Sequence, residues 1–82
     1  MGRHDAWPRL GEVSVPTLVV GGTRDRFLPE ATLRAIAAAV PGAELLVVEG
    51  ATHYLPLEFP ALLDERIRRF VAERIGRADA AV

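Results

Sequence analysis

Val15-Pro16-Thr17-Leu18-Val19-Val20-Gly21-Gly22-Thr23-Arg24-Asp25-Arg26-Phe27-Leu28-Pro29 joins an unbroken apolar run to a polar, glycine-led loop. Thr17 to Val20 are consecutive apolar or β-branched residues with no polar alternation. Such a run suits a parallel strand buried on both faces. The expected strand covers 13–20. Pro16 fits only near its start, because proline cannot donate to a ladder. The two glycines are expected to end the run, and Thr23 to Pro29 then form a loop at the strand's C-terminal end.

Downstream, Pro29 suits the first turn of a helix, where its missing N–H costs nothing. Leu33, Ile36, Ala37 and Val40 follow an i, i+3, i+4, i+7 stripe, so a helix is expected over 30–40. Pro41-Gly42 stops it. Ala43 to Val48 reads as a second strand with a continuous apolar core. A loop, 49–57, carries His53 within the stretch Gly50-Ala51-Thr52-His53-Tyr54-Leu55-Pro56-Leu57-Glu58. A last helix is expected from Phe59 or Pro60 to Ile75, with Leu63, Ile67, Phe70 and Val71 on one face. Its Arg66, Arg68 and Arg69 are expected to be a solvated face. Upstream, 1–12 reads as irregular, with Trp7 covering an apolar edge and His4 without a partner. Residues 77–82 are expected to fray.

The fold class is therefore α/β, a β-α-β-α unit spanning 13–76 with parallel strands joined by a right-handed crossover. Two parallel strands need cover on two faces and neighbours on two edges. Two helices cannot supply that, and about 80 residues hold little core. The unit is expected to belong to a larger open sheet, or to pair with another chain through its strand edges.

Composition narrows the classes. The chain has 82 residues, half of them hydrophobic, and a net charge of −1 from 10 basic and 11 acidic side chains. That balance offers no electrostatic case for nucleic acid or an anionic membrane. There is no cysteine, hence no disulfide framework, thiolate metal site or Cys nucleophile. His4 and His53 lie too far apart in sequence to suggest a zinc site. No apolar run approaches the roughly 20 residues of a membrane span. A cytoplasmic setting is the expectation.

In an open parallel sheet, functional loops lie beyond the C-terminal strand ends. Asp25 follows the first strand and His53 the second, so both are placed at one edge. Paired strands run about 4.8 Å apart, within reach of a carboxylate–imidazole contact. An Asp–His pair fixes the imidazole's tautomer and stabilises the imidazolium once it takes a proton. Blander roles stand beside this one. His53 could cap the last helix or pack on Tyr54; Asp25 could close an Asx turn or pair with Arg24 or Arg26. Arg24 and Arg26 read as solvated loop charges, and Glu58 as a helix N-terminal charge favoured by the macrodipole. Phe27, Leu28, Tyr54 and Leu55 could line an acyl or alcohol pocket, or simply pack.

Over about 13–75 the chain resembles the C-terminal part of α/β-hydrolase-fold proteins. Val15 to Pro29 looks like the family's penultimate core strand and acid loop, where the aspartate three residues after a glycine matches Asp25. Gly50 to Glu58 looks like the loop after the last strand, where the histidine matches His53. The 28-residue separation of the two is typical of the family. The resemblance implies a nucleophile–His–Asp triad acting on a small ester-like substrate without cofactor. An aspartate nucleophile would imply an epoxide or haloalkane hydrolase instead, and the Gly-x-x-Asp-Arg-x-x-Pro form also resembles cofactor-free haloperoxidases.

The family's elbow, often G-x-S-x-G, is not in these 82 residues. The only serine is Ser14, ahead of the first strand and without flanking glycines. The oxyanion-hole loop has no counterpart either. Acid and base without nucleophile or oxyanion hole lack the terms that supply most of the rate. The expectation is the C-terminal portion of an esterase-like hydrolase. The alternative is a non-catalytic, self-associating interaction module.

Overall fold

A computed structural model describes residues 7–76 of the chain. Two strands, β1 (Leu18–Gly22) and β2 (Glu44–Val48), form a parallel pair in the register Leu18↔Glu44 to Gly22↔Val48. Helix α1 (Glu30–Ala39) crosses between them. After β2 come a single helical turn, α2 (Leu55–Glu58), and helix α3 (Pro60–Phe70), which runs on into a π-turn over Val71–Ile75. Class and element order match the sequence reading: α/β, with two parallel strands and helices after each. No helix among the described residues is long and apolar enough to cross a membrane.

Several boundaries differ, each for a physical reason. β1 starts at Leu18, after the donor-less Pro16, and it continues through both glycines rather than ending at Val20. Those glycines fit because no side chain would. A Cβ at Gly21 would lie 2.2 Å from Leu33 Cδ1, and one at Gly22 would lie 2.1 Å from the Ala51 carbonyl oxygen. The stretch expected to be irregular is helical in its described part, with a 3₁₀ turn at Leu10–Glu12 closed by the Val13 N–H on the Leu10 carbonyl, 3.2 Å. Trp7 stays 44% exposed. His4 and the expected frayed tail, 77–82, lie outside the described residues.

Helix α1 begins after Pro29, whose carbonyl accepts the Leu33 N–H at 3.1 Å. Leu33 (1% exposed) and Val40 are buried on its expected stripe. Gly42, at φ +72°, turns the chain back into β2 in a conformation that side chains disfavour. The main core gathers Val48, Ala51 and Leu55, with Val20, Leu46, Phe59 and Leu63 packed against them.

The last helix departs most from its expected pattern. Phe70 is buried, but Ile67 is 43% exposed and belongs to no closed face. Arg66, expected in solvent, is instead 13% exposed and bonds Glu44 at 2.5 Å. Glu44 opens β2 and also holds Arg74 at 2.8 Å, while Arg74 reaches the Gly42 carbonyl and lies over the Phe70 ring. One carboxylate at the start of a strand thus fastens the last described helical segment, and the two guanidinium groups hold that carboxyl below the usual carboxylate range. Arg68 does stay in solvent, paired with Asp64.

Candidate active site

The parallel ladder continues past its strands and brings two loops together. The Thr23 N–H donates to the Val48 carbonyl (3.1 Å), and the Arg24 N–H donates to the Ala51 carbonyl (2.8 Å). The Thr23 hydroxyl accepts the Gly50 N–H at 2.8 Å. Gly22 makes this approach sterically open, and Gly50, at φ +84°, lets the second loop turn away from β2.

On this frame Asp25 and His53 meet. Asp25 Oδ2 lies 3.1 Å from His53 Nδ1. Oδ1 of the same carboxylate accepts the Phe27 and Leu28 N–H groups at 2.8 and 2.9 Å. The Asx-turn role and the imidazole-partner role, alternatives in sequence, are therefore filled at once by the two oxygens of one carboxylate. Its side chain is 5% exposed, whereas that of His53 is 55% exposed. Desolvation pushes the Asp25 carboxyl up, but the Leu28 N–H, the His53 ring and the Phe27 N–H outweigh it and hold it below the usual carboxylate range.

The His53 ring stands edge-on between Phe27 and Tyr54, with centroids 5.3 and 6.0 Å away. Packing on Tyr54 is thus real and coexists with the Asp25 contact. The four expected pocket residues do not share one pocket. Leu28 and Leu55 line a cavity of about 350 Å³ with Asp25, His53, Leu63 and Ile67. Phe27 and Tyr54 line a second one, about 220 Å³, with Arg24, Arg26, Thr52 and His53. His53 borders both. Leu55 serves the core as much as the cavity, at 4% exposure. Ser14 is exposed and precedes β1, at the end of the strands away from His53.

Sequence reasoning missed Glu58 as a structural partner. Its carboxylate accepts the Thr52 N–H and the Thr52 hydroxyl, both at 2.7 Å. Those two bonds, with the Arg24 charge, keep its carboxyl below the usual range against some desolvation. The signal was faint: a carboxylate in a short Leu-Pro-Leu-Glu turn reads as a helix-end charge. Thr23 was missed for a similar reason, since a loop threonine carries no mark of its cross-loop bond.

A family model described as TAP-like protein, of the α/β-hydrolases, matches residues 2–77. The chain belongs to this α/β-hydrolase family. A 2-hydroxy-6-oxononadienedioate/2-hydroxy-6-oxononatrienedioate hydrolase of Klebsiella pneumoniae is 39% identical over 83% of this chain and 24% of its own length. A pimeloyl-[acyl-carrier protein] methyl ester esterase of Xanthomonas campestris is 36% identical over 85% of this chain and 28% of its own. A solved thermophilic esterase from Thermogutta terrifontis superposes with a TM-score of 0.80 and 30% identity, over 84% of this chain and 25% of that one. The chain thus spans about a quarter of the length of the family relatives it matches.

Proposed function

We propose that this chain supplies the acid–base half of a nucleophile–His–Asp hydrolase acting on carboxylic esters or related bonds. The observation that carries the reading is the 3.1 Å contact between Asp25 Oδ2 and His53 Nδ1, made by two loops at one edge of a parallel sheet. With Nδ1 engaged by a carboxylate, Nε2 is the nitrogen left to exchange protons. The nucleophile, a serine in the favoured form, belongs to polypeptide beyond these 82 residues.

The chemistry follows from that arrangement. His53 takes the nucleophile's proton as the hydroxyl oxygen bonds to the substrate carbonyl carbon. It then gives the proton to the leaving alcohol. In the second half it takes a proton from water as the water oxygen bonds to the acyl carbon, then returns that proton to the nucleophile's oxygen as the acyl–nucleophile bond breaks and the acid leaves. Asp25 stays ionised and stabilises the imidazolium formed in both halves. The cavities bordering His53 are the places for acyl and alcohol groups.

The test is a chimera in which this chain replaces the matching quarter of the Xanthomonas esterase, assayed with a p-nitrophenyl ester. Hydrolysis should appear, and His53→Ala should lower kcat by about 10³-fold or more. Equal turnover with and without the imidazole would refute the assignment.

A further inference from the structure

Beyond the Asp25 contact and two edge-on rings, the imidazole at this site has little to hold it. Its side chain is 55% exposed, and its two aromatic neighbours, Phe27 and Tyr54, are themselves 75% and 62% exposed. No closed apolar wall fixes its rotamer. Its aim must come from the backbone on which it stands.

That backbone is tied on both sides to one carboxylate. Ahead of His53, the Thr52 N–H donates to Glu58 Oε1 at 2.7 Å. Behind it, the Tyr54 N–H donates to the Thr52 hydroxyl oxygen at 3.1 Å, and that hydroxyl passes its own proton-bond to Glu58 Oε2 at 2.7 Å. The hydroxyl is used fully, as acceptor from one neighbour and donor to the other. The chain of bonds ends on a charge, which strengthens each link. Glu58 is not capping its own turn, because no side chain caps α2. Its carboxylate reaches back six residues, past the turn, to the histidine's neighbour.

We infer that Glu58 is a positioning residue for His53, its carboxylate acting through Thr52 to fix the N–H groups of the residues on both sides of the histidine and so aim Nδ1 at Asp25. The inference rests on the reading of His53 and Asp25 as base and orienter. It adds the element that holds the base in place before any substrate arrives. A geometry held by 2.7 Å charged bonds is pre-organised, and a small rotation of the 52–54 backbone would carry the exposed ring out of hydrogen-bond range.

The histidine's tautomer reports this directly and needs no turnover. In the 82-residue chain at about pH 8.5, where ordinary imidazoles are neutral, long-range ¹⁵N–¹H spectra give the His53 ratio of Nδ1–H to Nε2–H. The unsubstituted chain should favour Nδ1–H. Glu58→Ala should lower the ratio by roughly tenfold, the scale of losing charge-assisted bonds. Glu58→Gln, whose amide oxygen can still accept one Thr52 bond, should restore part of it. Thr52→Val, which deletes the hydroxyl alone, should lower it in the same direction. Glu30→Ala, at an exposed ion pair within α1, should leave it unchanged. An unaltered ratio in Glu58→Ala and Thr52→Val would overturn the inference. So would loss of dispersed amide signals in all three site variants while Glu30→Ala stays folded, since Glu58 would then be holding the fold rather than the histidine. Failure of the underlying reading looks different: the unsubstituted chain would show no Nδ1–H preference, and Asp25→Asn would change nothing.

Discussion

The Asp25 loop and the His53 loop solve the same problem in opposite ways. Asp25 is held by its own side chain. One oxygen takes two local N–H groups, the other takes the imidazole, and almost none of the carboxylate meets water. His53 is held by its neighbours. Its ring stays more than half exposed, while Thr52 and Tyr54 on either side carry the hydrogen bonds. The difference fits the tasks proposed for the two residues. An orienting carboxylate gains from being immobile and dry, where its contact with the imidazole is strongest. A proton carrier must keep one face open to substrate, so its rigidity has to be supplied from the main chain.

The comparison breaks first where the loops touch. Gly22→Ala would place a methyl group 2.1 Å from the Ala51 carbonyl oxygen and 2.7 Å from the Ala51 Cβ. Backbone cannot yield as a side-chain tip can, so the loss of stability should reach about 3 kcal/mol or more, read from urea unfolding. A loss below about 1 kcal/mol would mean that the loops can part without harm to the fold. The next contact is milder. Thr23→Val removes the acceptor of the Gly50 N–H and should cost about 1 kcal/mol. It should also speed hydrogen exchange at Gly50 while leaving the Leu33 amide protected. Equal acceleration at both sites would show that the hydroxyl supports the whole unit rather than the loop junction.

Much of this geometry could be read in the chain itself, and the limits are instructive. Thr17 to Val20 and Leu45 to Val48 announce buried parallel strands because nothing polar interrupts them. Once the strands are parallel, Asp25 and His53 must share an edge. What stays hidden is pairing between polar groups whose partner lies elsewhere. Arg66 has the spacing of a solvated charge, yet it is drawn inward by Glu44, twenty-two residues earlier. Glu58 looks like a helix charge until α2 folds its carboxylate back onto Thr52. Gly21 and Gly22 look like a strand stop, but they are the positions where Leu33 and Ala51 come too close for a side chain. Periodicity reports burial along one element; it does not report contacts between elements.

The gentlest way to sharpen the comparison is acid titration. Asp25 and Glu58 both have carboxyls held below the usual range in the folded chain, the first against its own desolvation by Leu28, His53 and Phe27, the second by Thr52. In that window the folded state binds fewer protons than the unfolded chain, so stability rises with pH. The contribution is complete above the unfolded carboxylate range and is lost as pH falls through the folded values, that is, below about pH 4. Glu44 adds a background with the same sign through Arg66 and Arg74. Asp25→Asn should flatten the acid limb of the stability profile while Glu58 still responds, and Glu58→Gln should flatten the rest of the loop's share. The two slopes should separate, because Asp25 acts through its own bonds and Glu58 through those of Thr52. In the spectra, protonating Glu58 should release the Thr52 N–H before the core amides move. An acid limb unchanged by Asp25→Asn would show that its carboxylate is no better held folded than unfolded, and the contrast between a fixed carboxylate and an open imidazole would fail at its firmer end.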